Sequence, residues 1–206
     1  MSITLVIVIV TSIVSIMAFQ NEALMNKLIM NPYVTKHRNQ WYRFITSGII
    51  HADWLHLLIN MFVFYSFGKI VEQYYDYYFG ELSIYYFLML YFGSMIISIL
   101  PSYVKHHDQP HYNSLGASGA VSAIVFAYII FDPLSNIYLY GLIGIPGIVA
   151  ALLYLIYSWY MAAKGGDNIN HSAHLWGAIF GFVYTIILKP DLFIDFIDQL
   201  RNVTGL

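Results

Sequence analysis

The sequence predicts an all-α membrane protein, folded as a bundle of six transmembrane helices. Of its 206 residues, 59% are apolar and only 10% are charged. Several apolar runs approach the ~20 residues that a helix needs to cross the hydrocarbon of a bilayer. Cysteine is absent, which excludes disulfides, thiol nucleophiles and sulfur-ligated metals. The formal net charge of −2 includes no basic block, so nucleic-acid binding has no support.

Six apolar segments define the predicted spans, and we expect them to form one domain over residues 1–206. Hydropathy and length place the spans at Ile3–Phe19, Trp54–Val71, Phe79–Leu100, Ala117–Phe131, Leu142–Met161 and Ser172–Leu188. No basic region precedes the first span and no small-residue cleavage site follows it. These features favour a retained helix over a secretory signal.

The long first loop, Gln20–Asp53, joins the first two spans. It contains a weakly amphipathic piece, Glu22–Met30, and several aromatic residues around Trp41. Amphipathic segments of this kind lie in the membrane interface. We therefore expect the loop to be partly embedded in the membrane rather than to form a second domain.

Polar residues stand near the start of the second, fourth and sixth spans. They are His56 with Asn60, Ser118, and His174. Because consecutive spans alternate in direction, the starts of these three spans lie on the same face of the membrane. Polar side chains inside spans are costly and commonly mark functional sites. The sequence therefore predicts one polar site near this face.

Ser118 and His174 are the residue types of a nucleophile and its base. A serine hydroxyl must lose its proton as it attacks, and an imidazole accepts that proton near neutral pH. The fourth and sixth spans both carry small residues at helical spacing, which allow close packing. These residues are Gly119 and Ala123 on the fourth span, and Gly177 and Gly181 on the sixth. We expect this packing to bring Ser118 within hydrogen-bonding distance of His174.

Donors for an oxyanion are available beside this pair. His56 and Asn60 are four residues apart and share one helix face. The backbone amide of Ser118, and that of Gly119 next to it, lie in the first helical turn, where N–H groups have no intrahelical partner. Such donors stabilise the charge that develops on a carbonyl oxygen under attack.

An acidic third member of a catalytic triad is not apparent. All eleven acidic residues fall in predicted loops, at span ends or in the tail, so a dyad is the simpler hypothesis. Asp53, Asp108 and Asp167 lie on the same face as the site, in loops that we expect to be solvated. They are candidates to orient His174, but the expected solvation of these loops argues against a catalytic role.

These motifs resemble those of the rhomboid intramembrane serine proteases, across essentially all six spans. The resemblance rests on Gly116-Ala117-Ser118-Gly119, Ala173-His174 with Gly177 and Gly181, the segment His51–Asn60, and Trp41 with Arg43. Two positions depart from the family's pattern. Tyr42 separates Trp41 from Arg43, and Ser122 stands where some bacterial members have a tyrosine stacked on the catalytic histidine.

The resemblance implies hydrolysis of peptide bonds in or next to transmembrane segments of membrane proteins. A Ser118–His174 dyad would act without a cofactor or metal, in the lipid bilayer. His56, Asn60 and the Ser118 amide would be oxyanion donors, while Arg43 and His51 would hold the first loop and the second span in place. The glycines would support the helix packing: Gly116, Gly119, Gly177 and Gly181.

Two alternatives stay open. One is a non-catalytic rhomboid-like protein that binds membrane helices, although such proteins typically lose the serine or the histidine. The other is a metal transporter that uses His51, His56, His171 and His174. Against a metal site, the sequence has no His-Glu-x-x-His helix, no cysteine and no carboxylate within a predicted span.

Two segments are candidates for controlling substrate entry. The polar segment Lys164–His171 is expected to cover the site. The fifth span is expected to be a weakened helix, because it contains glycine and proline residues: Gly141, Gly144, Pro146 and Gly147. A substrate helix must unwind before cleavage, because its carbonyls are otherwise satisfied by its own hydrogen bonds.

The orientation in the membrane is predicted differently by two arguments. Six lysine and arginine residues fall on the side of the motifs and three on the other, which places the site in the cytoplasm by the positive-inside rule. Resemblance to compact bacterial rhomboids implies a site that opens to the outer face of a bacterial-type cell membrane. We adopt the second orientation, because four of the six charges belong to the first loop, part of which is expected to pack on the membrane.

Overall fold

Helices account for most of the fold in a computed structural model, which describes residues 2–139, 142–167 and 169–204. The long helices are α1 (Ile3–Phe19), α5 (Trp54–Phe79), α6 (Ser83–His106), α7 (Ser118–Phe131), α8 (Gly147–Lys164), α9 (His171–Leu188) and α10 (Asp191–Thr204). Three short helices lie in the first loop: α2 (Glu22–Leu28), α3 (Pro32–His37) and α4 (Arg43–Thr46). Two strands, β1 (Asn136–Leu139) and β2 (Ile143–Pro146), form an antiparallel hairpin before α8.

Local capping fixes where the helices that carry the predicted site begin. The Asp53 side chain accepts a hydrogen bond from the amide of His56 (2.8 Å) at the start of α5. Asn170 caps α9 in the same way, through the amide of Ala173 (3.1 Å). Such side-chain acceptors satisfy amides that have no partner inside the helix. At its other end α5 stops at Gly80, whose φ of 53° favours glycine.

The helices α5, α7 and α9 run parallel to one another. The starts of α7 and α9 meet at Gly119 and Gly177, and later turns meet at Ala123 and Gly181. Aromatic contacts between α5 and α7 advance in the same direction, from Phe67 with Tyr128 (5.1 Å) to Tyr74 with Phe131 (4.4 Å between ring centroids). The N-terminal ends of these three helices therefore lie at one end of the bundle.

Helix α7 is the centre of the bundle. Twelve of its fourteen residues are buried, among them Ala123, Ile124 and Ala127. Helix α8 is the opposite case, with only Gly147, Ala151 and Ser158 buried. A central helix of small and β-branched residues lets its neighbours approach closely.

Three stretches in the described parts of the chain are long and apolar enough to cross a membrane: Trp54–His106, Gly147–Lys164 and His171–Leu188. The first of these contains α5 and α6, joined by a 3-10 turn at Gly80–Leu82. Helices α1 and α7 are apolar but shorter.

Several helix bounds differ from the predicted spans. The first span matches α1 and the sixth differs from α9 by one residue, but α5 continues past Val71 to Phe79, and α6 runs from Ser83 to His106. The extension of α5 places Glu72 inside a helix, where its carboxylate is hydrogen-bonded to the N-terminus of α1. It accepts hydrogen bonds from Ser2 Oγ (2.6 Å) and the amide of Ile3 (2.8 Å).

The predicted start of the fifth span, Leu142–Met161, is wrong. The prediction of an all-α fold is also corrected, because the chain contains two β-strands. The first residues of the predicted span belong to the β-hairpin, and α8 begins only at Gly147. The amides of Gly147 and Ile148 donate to the carbonyls of Ser135 (3.0 Å) and Pro133 (2.8 Å), which sets the helix start. Gly144 and Pro146 therefore lie in β2 rather than in a weakened helix. Gly141 lies outside the described residues.

The first loop is fastened to the bundle through buried polar groups. The buried Arg43 guanidinium donates to the carbonyls of Ile29 and Asn26 (2.9 Å) and to the Gln40 side chain (2.8 Å). Met30 pairs with Ser114 by two backbone hydrogen bonds of 3.0 and 2.9 Å. These bonds connect the loop to the segment that leads into α7.

Candidate active site

A cavity of about 910 Å³ opens at the N-terminal ends of α5, α7 and α9. Six residues predicted from the sequence line it together: His56, Asn60, Gly116, Ser118, Gly119 and His174. Much of the remaining wall comes from the segments that precede α7 and α9. The cavity is thus formed by chain segments that are far apart in sequence.

The turn before Ser118 depends on Gly116. Its φ of 114° lies in the region that favours glycine. A methyl group there would also lie 2.6 Å from Cε1 of His56. The amide of Gly116 donates to the carbonyl of Ser47 (2.9 Å), so the turn is held against the end of the first loop.

His51 is hydrogen-bonded to the same turn. Its Nε2 accepts a long hydrogen bond from the amide of Ala117 (3.5 Å), and its Nδ1 lies 2.9 Å from the hydroxyl of Ser15. A neutral imidazole that accepts at Nε2 donates from Nδ1, so Ser15 accepts from His51 and itself donates to the carbonyl of Ile49 (3.1 Å). Burial, with a smaller contribution from nearby His56, lowers the pKa of His51 to about 3. The ring is therefore neutral.

His56 is arranged as a donor toward the cavity. Its Nδ1 accepts a long hydrogen bond from the amide of Ala52 (3.5 Å), which leaves the proton of a neutral ring on Nε2. Asn60 lies one turn later and is buried. Its side-chain amide donates to the carbonyl of His56 (2.9 Å), and the amide's second hydrogen is available to another acceptor.

The first amides of α7 supply further donors. The helix begins at Ser118, and the amide of Val121 bonds to the carbonyl of Ala117 (2.9 Å). The amides of Ser118 and Gly119 precede this bond and belong to the turn whose N–H groups have no intrahelical partner. They lie at the positive end of the helix dipole, which favours negative charge.

Close packing of α7 and α9 brings together the helix starts that carry Ser118 and His174. Gly177 faces the carbonyl of Gly119, and Gly181 faces the carbonyl of Ala123. A methyl group at either glycine of α9 would overlap these backbone atoms. The two helices therefore touch backbone to backbone, as predicted from their small residues.

His174 is held by rings rather than by a carboxylate. Tyr154 of α8 stacks on it with 6.2 Å between ring centroids and 17° between the planes. His171 contacts His174 in a T-shaped arrangement, with 5.7 Å between the ring centroids. Among the described residues, no hydrogen bond within 3.5 Å joins His174 to Ser118. Such bonds are often loose in an empty site and tighten when substrate binds.

Each of the three nearby aspartates has another partner. Asp53 caps α5 through His56. Lys36 hydrogen-bonds to Asp108 (2.9 Å) and lowers the pKa of that carboxyl. Asp167 lies 3.0 Å from Nε2 of His171, and this hydrogen bond lowers the pKa of Asp167.

The four histidines considered for a metal site form two pairs. His51 contacts His56 at 5.0 Å, and His171 contacts His174 at 5.7 Å between ring centroids. Within residues 2–139, 142–167 and 169–204, no three or more His, Asp or Glu side chains converge as a metal site would require.

A family model for the Rhomboid domain matches residues 38–191, a range that contains every residue lining the cavity except Ile29. The chain belongs to the rhomboid family. Its apolar helices and this membership make it an integral membrane protein.

Related rhomboids come from plants and bacteria. The chain is 31% identical to Rhomboid-like protein 11, chloroplastic, of Arabidopsis thaliana, over 78% of this chain and 57% of that protein. It is 27% identical to Rhomboid protease GlpG of Haemophilus influenzae, over 78% and 76%. It is 30% identical to Rhomboid protease GluP of Bacillus subtilis, over 70% and 25%. The chain thus spans little more than half of the chloroplast protein and a quarter of GluP.

Two residues of this rhomboid's site were not predicted from the sequence. Tyr154 reaches His174 from a different helix, and Asn170 joins the start of α9 to Ser102 (2.9 Å) and Ser114 (3.1 Å). A signal for Tyr154 was present, because it shares a stripe of helical spacing with the buried Ala151 and Ser158. That stripe identifies the face of α8 that packs on the bundle.

Proposed function

We propose that this rhomboid is an intramembrane serine protease that hydrolyses peptide bonds in or next to transmembrane segments of membrane proteins. Ser118 would be the nucleophile and His174 the general base and acid. The observation that carries the proposal is the convergence of Ser118, His174, His56 and Asn60 on one cavity, although they come from three helices. A random distribution of polar core residues would not produce this set.

The proposed reaction uses these groups in turn. Ser118 Oγ attacks the substrate carbonyl carbon while its proton passes to His174. His174 then gives this proton to the leaving amine as the peptide C–N bond breaks, which leaves an ester on Ser118. Water attacks the ester with His174 again as base, and the acid product leaves with Ser118 Oγ reprotonated.

The tetrahedral intermediates carry negative charge on the former carbonyl oxygen. Nε2–H of His56, the Asn60 amide and the backbone amides of Ser118 and Gly119 are donors on the cavity wall. Loss of one such donor commonly costs about 10²–10³ in kcat. We expect each donor to contribute more to kcat than to KM, because the charge exists only during the reaction.

The bundle that presents this site is proposed to be one domain of six spans, formed by α1, α5, α6, α7, α8 and α9. Their apolar surfaces and alternating directions support this count. We propose no cofactor and no metal for the reaction. Substrates should contain residues that weaken helices near the cleaved bond, since a helical carbonyl is already hydrogen-bonded.

The test is cleavage of a fluorogenic transmembrane-segment substrate by the purified protein in detergent or lipid. Wild type should cleave, whereas Ser118→Ala and His174→Ala should reduce the rate by several orders of magnitude. A fluorophosphonate probe should label wild type and fail to label Ser118→Ala. Cleavage that survives Ser118→Ala would exclude the proposed mechanism.

The alternative is a rhomboid that binds membrane helices without cleaving them. It predicts that wild type retains a bound transmembrane peptide at full length and that Ser118→Ala binds the peptide equally well. Cleavage that depends on Ser118 would exclude it.

A further inference from the structure

The hydroxyl of Tyr154 connects the stacked His174 to the helix of the nucleophile. It lies 2.5 Å from Ser122 Oγ. Ser122 in turn donates to the carbonyl of Ser118 (2.8 Å). A serine hydroxyl has one proton, so Ser122 uses it on this carbonyl and accepts from Tyr154. Tyr154 therefore contacts the His174 ring with its face and is bonded, through Ser122, to Ser118.

The contact is repeated one turn away. Tyr157 of α8 meets His171 of α9 edge to face, with ring centroids 5.4 Å apart and planes at 85°. Tyrosines three residues apart on α8 thus pair with histidines three residues apart on α9, which runs in the opposite direction. This register fixes how α8 lies against the start of α9.

Among the residues that the structure describes, none hydrogen-bonds to the His174 ring and so sets its plane. Within the described residues, no carboxylate hydrogen-bonds to it, and Asp167 bonds to His171 instead. In serine hydrolases with a triad, an acidic residue holds the histidine in its productive orientation. Here a stacked ring occupies one face of His174, and His171 contacts it edge-on.

We propose that Tyr154, fixed by its hydrogen bond to Ser122, is the positioning residue that orients His174 toward Ser118. The inference rests on the proposed protease function. It assigns to α8 a direct part in the activity, because His174 is oriented only while α8 lies against α9. Ser122 of α7 takes part by anchoring the tyrosine ring that α8 supplies.

The test compares kcat, KM and thermal stability for Tyr154→Leu and Tyr154→Phe. Loss of the ring in Tyr154→Leu should lower kcat by about tenfold or more with KM within about twofold, since misorientation of a catalytic group acts on the reaction rather than on binding. Tyr154→Phe keeps the ring and should lose less. The matched control is Tyr160→Leu, on the exposed side of α8, which should keep wild-type kcat. Wild-type kcat in Tyr154→Leu would overturn the proposal.

A double-mutant cycle tests the hydrogen bond between Tyr154 and Ser122. It tests the positioning role of Tyr154 even if Tyr154→Leu does not fold. Tyr154→Phe and Ser122→Ala each delete one oxygen of the same bond. Each should lower kcat by a similar factor, and the double variant should lose little more than either one, because paired residues are not additive. Additive losses, or unchanged kcat in both single variants, would overturn the proposal.

Failure of the proposed protease function can be distinguished from failure of the Tyr154 role. Ser118→Ala must abolish cleavage in the same assay and wild type must cleave. If both hold and the Tyr154 variants keep wild-type kcat, only the positioning role fails. If Ser118→Ala cleaves like wild type, the protease mechanism fails and the positioning role fails with it.

Discussion

Gly177 of α9 lies so close to the carbonyl oxygen of Gly119 in α7 that a methyl group at Gly177 would overlap it. The obstacle is backbone, which cannot rotate away as a side chain can. Gly119 is itself next to Ser118, so any separation of the helices at this point also separates Ser118 from His174. The distance between the two proposed catalytic residues is thus set by a residue that carries no functional group.

Gly177→Ala should therefore lower both stability and activity. Overpacking in a filled core costs typically about 1–3 kcal/mol, and a displacement of about 1 Å near a reacting group can cost about 10²-fold in rate. Thermal unfolding and the cleavage assay measure the two effects. The matched control is Gly93→Ala on α6, where the new methyl would meet the ring tip of Phe180 at 3.0 Å, a side chain that can move. Equal behaviour of the two variants would contradict the packing argument.

Glu72 should contribute strongly to stability. Its carboxylate accepts hydrogen bonds at the N-terminus of α1 from Ser2 Oγ (2.6 Å), Thr4 Oγ1 (2.7 Å) and the amides of Ile3 (2.8 Å) and Thr4 (3.1 Å). A negative charge at a helix N-terminus is favourable. Glu72→Ala should lower the free energy of unfolding by about 1.5–3 kcal/mol, the range for hydrogen bonds to a charged group.

Unfolding of Glu72→Ala in detergent would be followed by heat, with limited proteolysis near α1 as a local measure. Glu81→Ala is the control, because its carboxylate lies in the exposed turn after α5. If both variants unfold at the wild-type temperature, Glu72 does not hold α1.

Stability should fall in mild acid because of His51. Its pKa is lowered from 6.5 to about 3, chiefly by burial, so the fold disfavours the protonated ring. Its contribution is therefore complete above pH 6.5 and is lost progressively as the pH falls toward 3. His51→Gln, which cannot be protonated there, should show a weaker loss of unfolding temperature between pH 7 and pH 4 than wild type. Replacement of the exposed His111 by Gln should leave the wild-type pH dependence, and parallel curves for His51→Gln and wild type would contradict the assignment.

Asn170 should control the mouth of the cavity. Its side-chain amide donates to Ser102 (2.9 Å) and Ser114 (3.1 Å), while its oxygen caps α9 through the amide of Ala173 (3.1 Å). Asn170→Asp keeps the cap but loses the donors, whereas Asn170→Ala loses both, at about 1 kcal/mol for the cap. We expect Asn170→Asp to lower cleavage while it unfolds closer to wild type than Asn170→Ala does. Wild-type cleavage by Asn170→Asp would limit Asn170 to helix capping.

The sequence predicted best where a pattern within each helix decides the outcome. The bounds of α1 follow from an apolar run between polar residues, and the small residues of α7 and α9 correctly indicated their close packing. The end of α5 was missed because Glu72 was assigned to a loop, and its partners at the start of α1 are about seventy residues away. The hairpin before α8 was missed because its short apolar strands resemble the start of a helix.

The same limit applies to the site. The convergence of His56, Asn60, Ser118 and His174 on one cavity was predicted from spacing and from the shared end of their helices, which is a property of topology. Tyr154 could not be paired with His174 in this way, because the pairing depends on the register between α8 and α9. Side-chain register across helices is a tertiary property that one sequence does not specify.

The lack of cysteine in the chain offers a direct test of membrane orientation. The charge count and the family resemblance disagree about the face on which the cavity opens. A single introduced cysteine is the only thiol in the protein, so its labelling reports one position. His37 lies in α3 on the side of the cavity and Glu81 in the turn at the opposite end of α5, and both are exposed.

We predict that His37→Cys in intact bacterial cells reacts with a thiol reagent that does not cross membranes, whereas Glu81→Cys reacts only after the cells are opened. Neither change alters the number of lysines and arginines, so the charges that determine orientation by the positive-inside rule are kept. Both variants should react fully in detergent, which confirms that each thiol is accessible, and both should keep wild-type cleavage. The reverse pattern, with Glu81→Cys labelled in intact cells, would place the cavity on the cytoplasmic face. In that case the excess of basic residues beside the cavity would outweigh the orientation implied by the bacterial rhomboids.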